Sequence, residues 1–352
     1  MHLSISQPLH SLVEAKFKTA SAAKSLIFSA TEVCVIRTTA GIPFQLRYCP
    51  SLAKKPTPAN DDAQKRVKKI DPFENPPPEL WIADIPTSTD PSHFLVLNKF
   101  PIIKDHLILA TKENKQQTHL LEEVDVDATY SCLKEWEKPG TAGGEGGGRL
   151  FAFFNSGEHS GASQPHRHLQ FLPADSMLKG VEGQGWELLI DAVEKSCHAA
   201  YSGPSGFISH PHLPFVHFAS RVPANASANE LYAIYTSLHA AAVTYVRDYV
   251  RHHSVDLALH SDTEGGSPIS YNMAMTTTMM LICPRRSGGN VLKQPDGTEV
   301  GNVELNGTVL GGTLMVKAED QWELLKEEPN ALTELLGAIG IPREKSEGAS
   351  QL

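Results

Sequence analysis

The sequence predicts an α+β fold: a largely antiparallel sheet flanked by helices, with extensions at both ends of the chain. Segments of helical periodicity and short strand-like runs follow one another without the regular strand–helix–strand repeat of parallel sheets. No Gly-x-Gly-x-x-Gly turn follows a predicted strand. The 352 residues are enough for one large domain or two ordinary ones.

The first part of the chain predicts a helix, two strands and a long loop. Apolar residues recur with helical spacing from about Leu9 to Leu26, uninterrupted by proline or glycine. Strand-like runs follow at Val33–Ile36 and Phe44–Cys49. Residues 51–80 are rich in Pro, Lys and Asp and offer little apolar surface, so we expect a partly mobile loop there.

The central and C-terminal parts alternate further between the two types of segment. The predicted central segments are strands at His93–Asn98 and Asp105–Thr111, a helix at Lys115–Trp136, a mobile glycine-rich tether at 139–148 and a strand at Arg149–Asn155. The predicted C-terminal segments are helices at Gly185–Tyr201, Ala228–His252 and Ala331–Ile339 and strands at Ser270–Met275, Met279–Cys283 and Thr313–Val316. We expect a catalytic region at 1–180, a region at 181–340 that completes the site, and a disordered tail at 341–352.

Charge and cysteine usage restrict the class of protein. The formal net charge of −9 does not favour binding to nucleic acid or to anionic membranes, since both require basic surfaces. The first twenty residues lack the pattern of a secretory signal, and no window is apolar enough to span a bilayer. The five cysteines are dispersed and form no Cys-x-x-Cys pair. We therefore expect a cytoplasmic protein, with the nucleus as an additional compartment.

The segment His166-Arg-His168-Leu-Gln170 carries the most chemistry. Side chains alternate between the faces of a strand, so both histidines and Gln170 should point one way and Arg167 the other. A neutral imidazole is a good nucleophile toward phosphorus, and its reference pKa of about 6.5 leaves it largely unprotonated at pH 7. A histidine of this pair is therefore a candidate to form a covalent phosphoramidate.

The preceding loop should bind phosphate oxygens. Gly157 and Gly161 lack a Cβ, so their backbone N–H groups can approach an anion closely. The further candidate donors are Asn155, Gly161, Ala162, Ser163 and Gln164. Two other interpretations remain open. His159, His166 and His168 could hold zinc, or the histidine pair could be structural.

One segment resembles the signature of the histidine-triad superfamily: Gly161-Ala-Ser-Gln-Pro-His-Arg-His-Leu-Gln170. The resemblance is to the transferase branch, which has glutamine in place of the third histidine. This resemblance implies a histidine-triad-like fold with its core at about 91–173. The resemblance extends to the fungal diadenosine tetraphosphate phosphorylases, also called ATP adenylyltransferases. Its further motifs are Ser51-Leu-Ala-Lys-Lys-Pro56, Asp71-Pro-Phe73, Leu95-Val-Leu-Asn-Lys-Phe-Pro101, Phe153-Phe-Asn-Ser-Gly157, Leu213-Pro-Phe-Val-His217 and Tyr271-Asn-Met-Ala-Met-Thr276.

The resemblance implies the reaction. His168 attacks diadenosine tetraphosphate and releases ATP, and inorganic phosphate then takes the adenylyl group to give ADP. His166 orients His168, and Gln170 lies beside the nucleophile. Gln170 has no titratable proton, which suits transfer to an anionic acceptor better than activation of water. Sulfate is a second acceptor compatible with the same intermediate.

The resemblance also implies contacts to the nucleotide outside this segment. Those residues are Lys54, Asn98, Lys99, Asn272, Arg285 and Lys317. No cofactor is expected to be tightly bound, and no protein metal site is expected. Mg²⁺ should accompany the polyphosphate. The small-molecule partners are diadenosine tetraphosphate, ATP, ADP and phosphate, and the protein should be a monomer or a homodimer.

Two alternatives come from different classes of function. Hexose-1-phosphate uridylyltransferases have a similar Ser-x-Pro-His-x-His-x-Gln text, although here Arg167 separates the histidines. A nucleotide-binding regulatory protein is the second alternative. An intact His-x-His-x-Gln motif argues against it, because a binding protein needs no nucleophile.

Overall fold

The computed structural model describes residues 3, 5, 7–51, 71–87, 90–139, 147–196, 206–253, 257, 259–260 and 263–343. The helices are α1 (Leu9–Ala22), α2 (Glu123–Trp136), α3 (Ala174–Leu178), α4 (Leu189–Ser196), α5 (Ala228–His253), α6 (Glu319–Glu327) and α7 (Pro329–Ile339). The strands are β1 (Glu32–Arg37), β2 (Pro43–Tyr48), β3 (Trp81–Ile85), β4 (His93–Leu97), β5 (Leu107–Thr111), β6 (Leu150–Ser156), β7 (His168–Pro173), β8 (Phe218–Arg221), β9 (Ser270–Met275), β10 (Met279–Arg285), β11 (Gly289–Lys293), β12 (Glu299–Glu304) and β13 (Thr313–Val316). No described helix is long and apolar enough to cross a bilayer.

The main sheet has eight strands in the order β3-β4-β5-β7-β6-β9-β10-β8. Every neighbouring pair in it is antiparallel, which confirms the predicted fold class. Pairing of β6 with β9 joins the two predicted regions of the chain into one continuous sheet. A smaller sheet, β1-β2-β13, also contains strands of both regions: β13 from the C-terminal region pairs in parallel with β2 from the N-terminal region.

Two apolar cores cover the two faces of the main sheet. On β6, Ala152 and Phe154 face the core formed with α1, α2 and α5. Phe151 and Phe153, one residue out of phase, face the core formed with the small sheet and helices α4, α6 and α7. This period of two places consecutive side chains on opposite faces. Burial on both faces explains why the central strands are continuous apolar runs.

The predicted helices differ from the described ones mainly at their ends, and helices α3 and α6 were not predicted. Helix α2 begins at Glu123, whereas the sequence predicted a start near Lys115. The cause is a capping box, in which the Glu122 and Asp125 side chains satisfy the first free N–H groups of the helix. Residues 115–122 instead form a loop, and the Lys115 carbonyl accepts the N–H of Arg167 (2.7 Å).

Parts of the predicted mobile segments lie outside the described residues. They are 52–70 of the loop 51–80, 140–146 of the glycine-rich tether and 344–352 of the predicted tail. Lys54 is among these residues. The remaining part of the first loop, from Asp71 onward, is described and packs beside the histidine pair.

Candidate active site

His168 is the first residue of β7 and lies at the floor of a cavity of about 600 Å³. Its neighbours on β7 follow the predicted alternation. Gln170 borders the same cavity, whereas Leu169 packs into the core on the opposite face. Arg167, just before the strand, also points away from the cavity and contacts Asp125. The strand therefore presents His168 and Gln170 to one open space, as the sequence predicted.

The contacts of the His168 ring determine which nitrogen can react. Its Nδ1 lies 2.8 Å from the carbonyl oxygen of His166. A carbonyl can only accept, so Nδ1 carries the proton and Nε2 keeps its lone pair. Burial is the largest influence on the ring and lowers the pKa of His168 to about 4, against the weaker effect of the His166 carbonyl. The ring is thus a neutral nucleophile at physiological pH.

Gln117 holds the backbone of the nucleophile. Its Oε1 accepts the N–H of His168 (2.8 Å), and its Nε2 donates to the His168 carbonyl (3.1 Å) and to the carbonyl of Asn155 (2.8 Å). The side chain is buried in the loop that precedes α2. Sequence analysis missed it, because a single glutamine in a loop has no distinguishing pattern.

His166 is held by the chain segment that begins at Asp71. Its Nδ1 lies 2.8 Å from Asp71 Oδ2, and its Nε2 lies 2.8 Å from the carbonyl of Thr111. Phe73 packs against both histidines, with its ring centre 5.5 Å from that of His166 and 5.0 Å from that of His168. The His166 backbone carbonyl holds the His168 ring through Nδ1.

Asp71 and Phe73 are further residues of the site to which sequence analysis assigned no role. The only signal for them was the resemblance of the Asp71-Pro-Phe73 text to a known family. Asp71 lies 95 residues before His166, so no local pattern links the two positions.

The two glycines of the preceding loop are required by neighbouring protein atoms. Both have left-handed backbones, with φ +89° at Gly157 and +76° at Gly161. A Cβ at Gly157 would collide with the Ser270 side chain, and one at Gly161 would lie 2.7 Å from Asn306 Cβ. A Cβ at either glycine would therefore meet protein atoms. The sequence had suggested that the missing Cβ makes room for an anion instead.

Other predicted donors of this loop fall in different places. Ser163 and Gln164 border the large cavity with His168. Gly161 borders a separate cavity of about 390 Å³, together with Lys317. Ala162 is half-buried between them.

Asn155, Asn272 and Arg285 are buried and form a hydrogen-bonded chain beneath the loop. Asn155 Oδ1 accepts from Asn272 Nδ2 (2.9 Å) and from the N–H of Gly307 (2.8 Å). Asn272 also donates to the Ser160 carbonyl (2.9 Å) and accepts from Arg285. Sequence analysis expected these three side chains to contact the nucleotide. Asn155 Oδ1, both ends of the Asn272 amide and the Arg285 guanidinium are instead bonded to the protein, so the role that the geometry gives these groups is to hold the loop.

A second cavity of about 220 Å³ adjoins the large one. Asn98, Phe100 and Gln170 border both cavities, so Gln170 lies at their junction. The 390 Å³ cavity shares Asn306 and Met315 with this second one. The three cavities therefore adjoin one another, in order from the large cavity at His168 to the 390 Å³ cavity at Lys317. The exposed Lys99 lies at the rim of the large cavity, with its Nζ 5.5 Å from the centre of the Phe100 ring.

Charges of both signs line the cleft: Glu304 borders the smaller cavities with Arg47 and Lys317, and Asp71 and Glu74 border the large one. Within the described ranges, no group of three or more His, Cys, Asp and Glu side chains is placed to hold a metal. Arg47 borders the second cavity and is buried, and its guanidinium bonds to the neutral groups Gln45 Oε1 (3.0 Å), Met177 O (2.7 Å) and Thr31 Oγ1 (3.3 Å). Burial lowers the pKa of Arg47 to about 10, which still leaves it charged at pH 7.

An antiparallel sheet that presents a neutral histidine and a glutamine on one strand, beside a loop of small donors, is the arrangement expected of a nucleotidyltransferase that uses a histidine nucleophile. Family comparison identifies the chain more closely. The model of the Ap4A phosphorylase N-terminal domain matches residues 2–182, just over half of the chain, and that of the ATP adenylyltransferase C-terminal domain matches residues 211–342. The chain belongs to the Ap4A phosphorylase family, Ap4A being diadenosine tetraphosphate.

Individual relatives agree with this assignment. The chain is 28% identical over 311 residues to diadenosine 5',5'''-P1,P4-tetraphosphate phosphorylase 2 of Saccharomyces cerevisiae, covering 85% of this chain and 84% of the relative. It is 26% identical over 349 residues to Protein APA1 of the same organism, covering 97% and 96%. The crystal structure of yeast Ap4A phosphorylase Apa2 has the same fold, with a TM-score of 0.73 at 23% identity over 97% of this chain and all of that one. A structure of Apa2 in complex with Ap4A gives a TM-score of 0.72.

Proposed function

We propose that this nucleotidyltransferase phosphorolyses diadenosine tetraphosphate to ADP and ATP through an adenylyl-His168 intermediate. The observation that carries the proposal is the state of His168, a buried neutral imidazole whose Nδ1–H is bound to the His166 carbonyl (2.8 Å) and whose Nε2 is free to attack. Family membership and the yeast relatives supply the substrate class.

The reaction is balanced without a general acid. Nε2 bonds to an α-phosphorus, and the bond to the bridging oxygen breaks and releases ATP. Because the leaving group is already an ionised polyphosphate, it needs no proton. Positive charge develops on the ring, and the His166 carbonyl stabilises it at Nδ1. Inorganic phosphate then attacks the same phosphorus, breaks the phosphorus–nitrogen bond and gives ADP.

The surroundings of the cleft support a polyphosphate substrate. Arg47 and Lys317 are cations that border the two adjoining smaller cavities, together with Glu304, beyond Gln170 when counted from His168. Cations positioned along the path of a leaving polyphosphate lower the barrier to its departure. We propose that Mg²⁺ enters with the polyphosphate, and that sulfate can replace phosphate as the acceptor.

The compartment and assembly of the protein are part of the same proposal. Cys34, Cys49, Cys132 and Cys283 are free thiols, which suits a reducing compartment, so we propose the cytoplasm with the nucleus as an additional location. The assembly is proposed to be a monomer or a homodimer.

Product analysis tests the proposed reaction. Purified protein is incubated with diadenosine tetraphosphate with and without phosphate, and the nucleotides are separated by chromatography. We expect equimolar ATP and ADP only when phosphate is present, and adenylyl sulfate when sulfate replaces it. ATP and AMP without phosphate would contradict the proposal, since they would show a hydrolase. Turnover of UDP-glucose with a hexose 1-phosphate alone would favour the uridylyltransferase alternative.

The pH dependence of the first step provides a separate test. Because the pKa of His168 is lowered to about 4, the nucleophile stays neutral as pH falls through 6.5, where an ordinary histidine would protonate. Diadenosine tetraphosphate has no terminal phosphate, the group that titrates near pH 6. We expect the single-turnover rate of ATP release to be constant within about twofold from pH 8 to about 5.5, and to fall only near pH 4. A decline with an apparent pKa near 6.5 would contradict the state assigned to His168.

A further inference from the structure

The orientation of the Gln170 amide decides whether a donor or an acceptor faces the reacting phosphorus. One end of the amide is a carbonyl oxygen and the other is an NH₂ group. We propose that Asn98 and His106 are positioning residues that turn the NH₂ group of Gln170 toward the transferred phosphoryl group. This inference rests on the proposed function and concerns the same reaction.

The directions of the hydrogen bonds from Asn98 to Gln170 follow from one backbone N–H group, which can only donate. The N–H of Phe100 lies 3.0 Å from Asn98 Oδ1, so that atom must be the oxygen of the Asn98 amide. The other end of the amide, Nδ2, therefore faces His106 Nδ1 at 3.0 Å. Since Nδ2 donates, His106 Nδ1 must accept and cannot carry a proton.

The same logic continues to Gln170. A neutral His106 without a proton on Nδ1 carries it on Nε2, which lies 3.0 Å from Gln170 Oε1. Burial is the main cause that lowers the pKa of His106 to about 4, so the ring stays neutral in the working range. Gln170 Oε1 is thereby occupied. The NH₂ group is the end left for the cleft.

Strand pairing holds this chain of side chains in place. Residues 98 and 106 directly follow the Leu97–Leu107 pair at the end of the β4–β5 hairpin, and the Asn98 N–H donates to the His106 carbonyl (2.9 Å). Gln170 pairs with Ile108 on the next strand. Asn98 and His106 thus lie at the ends of β4 and β5, and Gln170 lies on β7, the strand beside β5 in the same sheet.

The consequence for catalysis is electrostatic. Negative charge builds on the phosphoryl oxygens, and an NH₂ donor beside them stabilises it. With the amide reversed, its carbonyl oxygen would face that charge. The loss of a single positioned donor at such a site typically reduces turnover about 10²-fold or more.

The substitution Asn98→Asp tests the direction of the chain. An aspartate accepts from both Phe100 and His106, so a neutral His106 must move its proton to Nδ1 and Gln170 must turn its NH₂ group inward. At pH 8 we expect kcat to fall on the order of 10²-fold, with KM for diadenosine tetraphosphate within about threefold. The introduced carboxylate raises the pKa of His106 above its value in the parent protein, so protonation toward pH 5 should restore the donor on Nε2 and shrink the deficit. The ionisable groups around His106 are His168, Asp105 directly before it in the chain, and Arg47 and Glu304, which border the second cavity with it.

Two variants of His106 separate positioning from a structural role. His106→Gln keeps a donor for Gln170, whereas His106→Leu does not. We expect the first to stay within about tenfold of the parent and the second to fall on the order of 10²-fold. Asn290→Asp, on β11 and outside the cavities, is the control for the same change of charge and should leave kcat unchanged. Equal losses in both His106 variants, or Asn98→Asp within about threefold of the parent at pH 8, would overturn the inference.

A spectroscopic measurement separates failure of this inference from failure of the proposed function. The ¹⁵N chemical shifts of the His106 ring report its tautomer in the parent protein without any turnover. We expect a protonated Nε2 and an unprotonated Nδ1. The opposite tautomer would overturn the inference even if phosphorolysis is observed. The expected tautomer together with no phosphorolysis would leave the positioning intact and refute only the reaction.

Discussion

Replacement of His168 by alanine is expected to reduce phosphorolysis of diadenosine tetraphosphate on the order of 10³-fold or more. The substitution removes the atom that receives the adenylyl group, and so the two-step route disappears. The same variant should retain no radioactive label after incubation with substrate labelled in the α-phosphate, whereas the parent protein should retain label on His168. Steady-state turnover and acid-sensitive labelling measure the two effects. Activity within about tenfold of the parent would remove His168 from this role.

His217 provides a matched control for that variant. It is buried like His168, and its Nδ1 likewise lies near a carbonyl two residues earlier, that of Phe215 (3.1 Å). Its Nε2, however, accepts the N–H of His210 (2.9 Å), so it has no free lone pair and cannot act as a nucleophile. We expect His217→Ala to lower thermal stability while leaving the turnover of folded protein close to that of the parent. The comparison separates loss of the nucleophile from loss of a buried ring.

Substitution of Arg167 by leucine is expected to lower the free energy of unfolding by about 3–5 kcal/mol. Arg167 projects from the opposite face of the catalytic strand and donates to Asp125 (2.7 Å) and Glu122 (2.9 Å). Burial raises the pKa of Asp125, but the hydrogen bond from His93 and the charge of Arg167 outweigh burial and lower it overall. Without Arg167, a buried carboxylate loses its cationic partner. Chemical denaturation measures the loss.

Two further variants test whether the loss of stability in Arg167→Leu comes from the buried, uncompensated charge. Arg251→Leu removes an exposed arginine from the end of α5, where its ion pair with Asp248 is mostly in solvent, and should change stability by less than about 1 kcal/mol. Adding Asp125→Asn to Arg167→Leu removes the uncompensated charge and should recover part of the loss. A loss below about 1 kcal/mol for Arg167→Leu alone would show that this buried pair contributes little.

The sequence was sufficient for the features that depend on local periodicity. Alternation with a period of two predicted that His168 and Gln170 share a face and that Arg167 points away, and the strand has that arrangement. Short apolar runs located most strands, including β4 and β9, which begin at His93 and Ser270. Such patterns are visible in one dimension, because each residue's direction follows from its neighbours along the chain.

Contacts between distant polar side chains were decided only by the tertiary structure. Gln117 clamps His168 from 51 residues away, and Asp71 reaches His166 across 95. Asn272 and Arg285, expected at the nucleotide, lie instead in the network that holds the loop. The start of α2 depended likewise on a capping box formed by Glu122 and Asp125, which the apolar periodicity of residues 115–136 concealed.

One physical cause separates the features that the sequence predicted from the contacts that it did not. Burial of apolar faces repeats with the period of a helix or strand, so the sequence by itself determined the fold class and the strand that carries His168 and Gln170. A hydrogen bond between two polar side chains depends on the position and direction of both, which chain folding sets together and no periodic pattern records. Only the tertiary structure therefore decided the tautomer of His168, the partner of His166 and the direction in which Gln170 points.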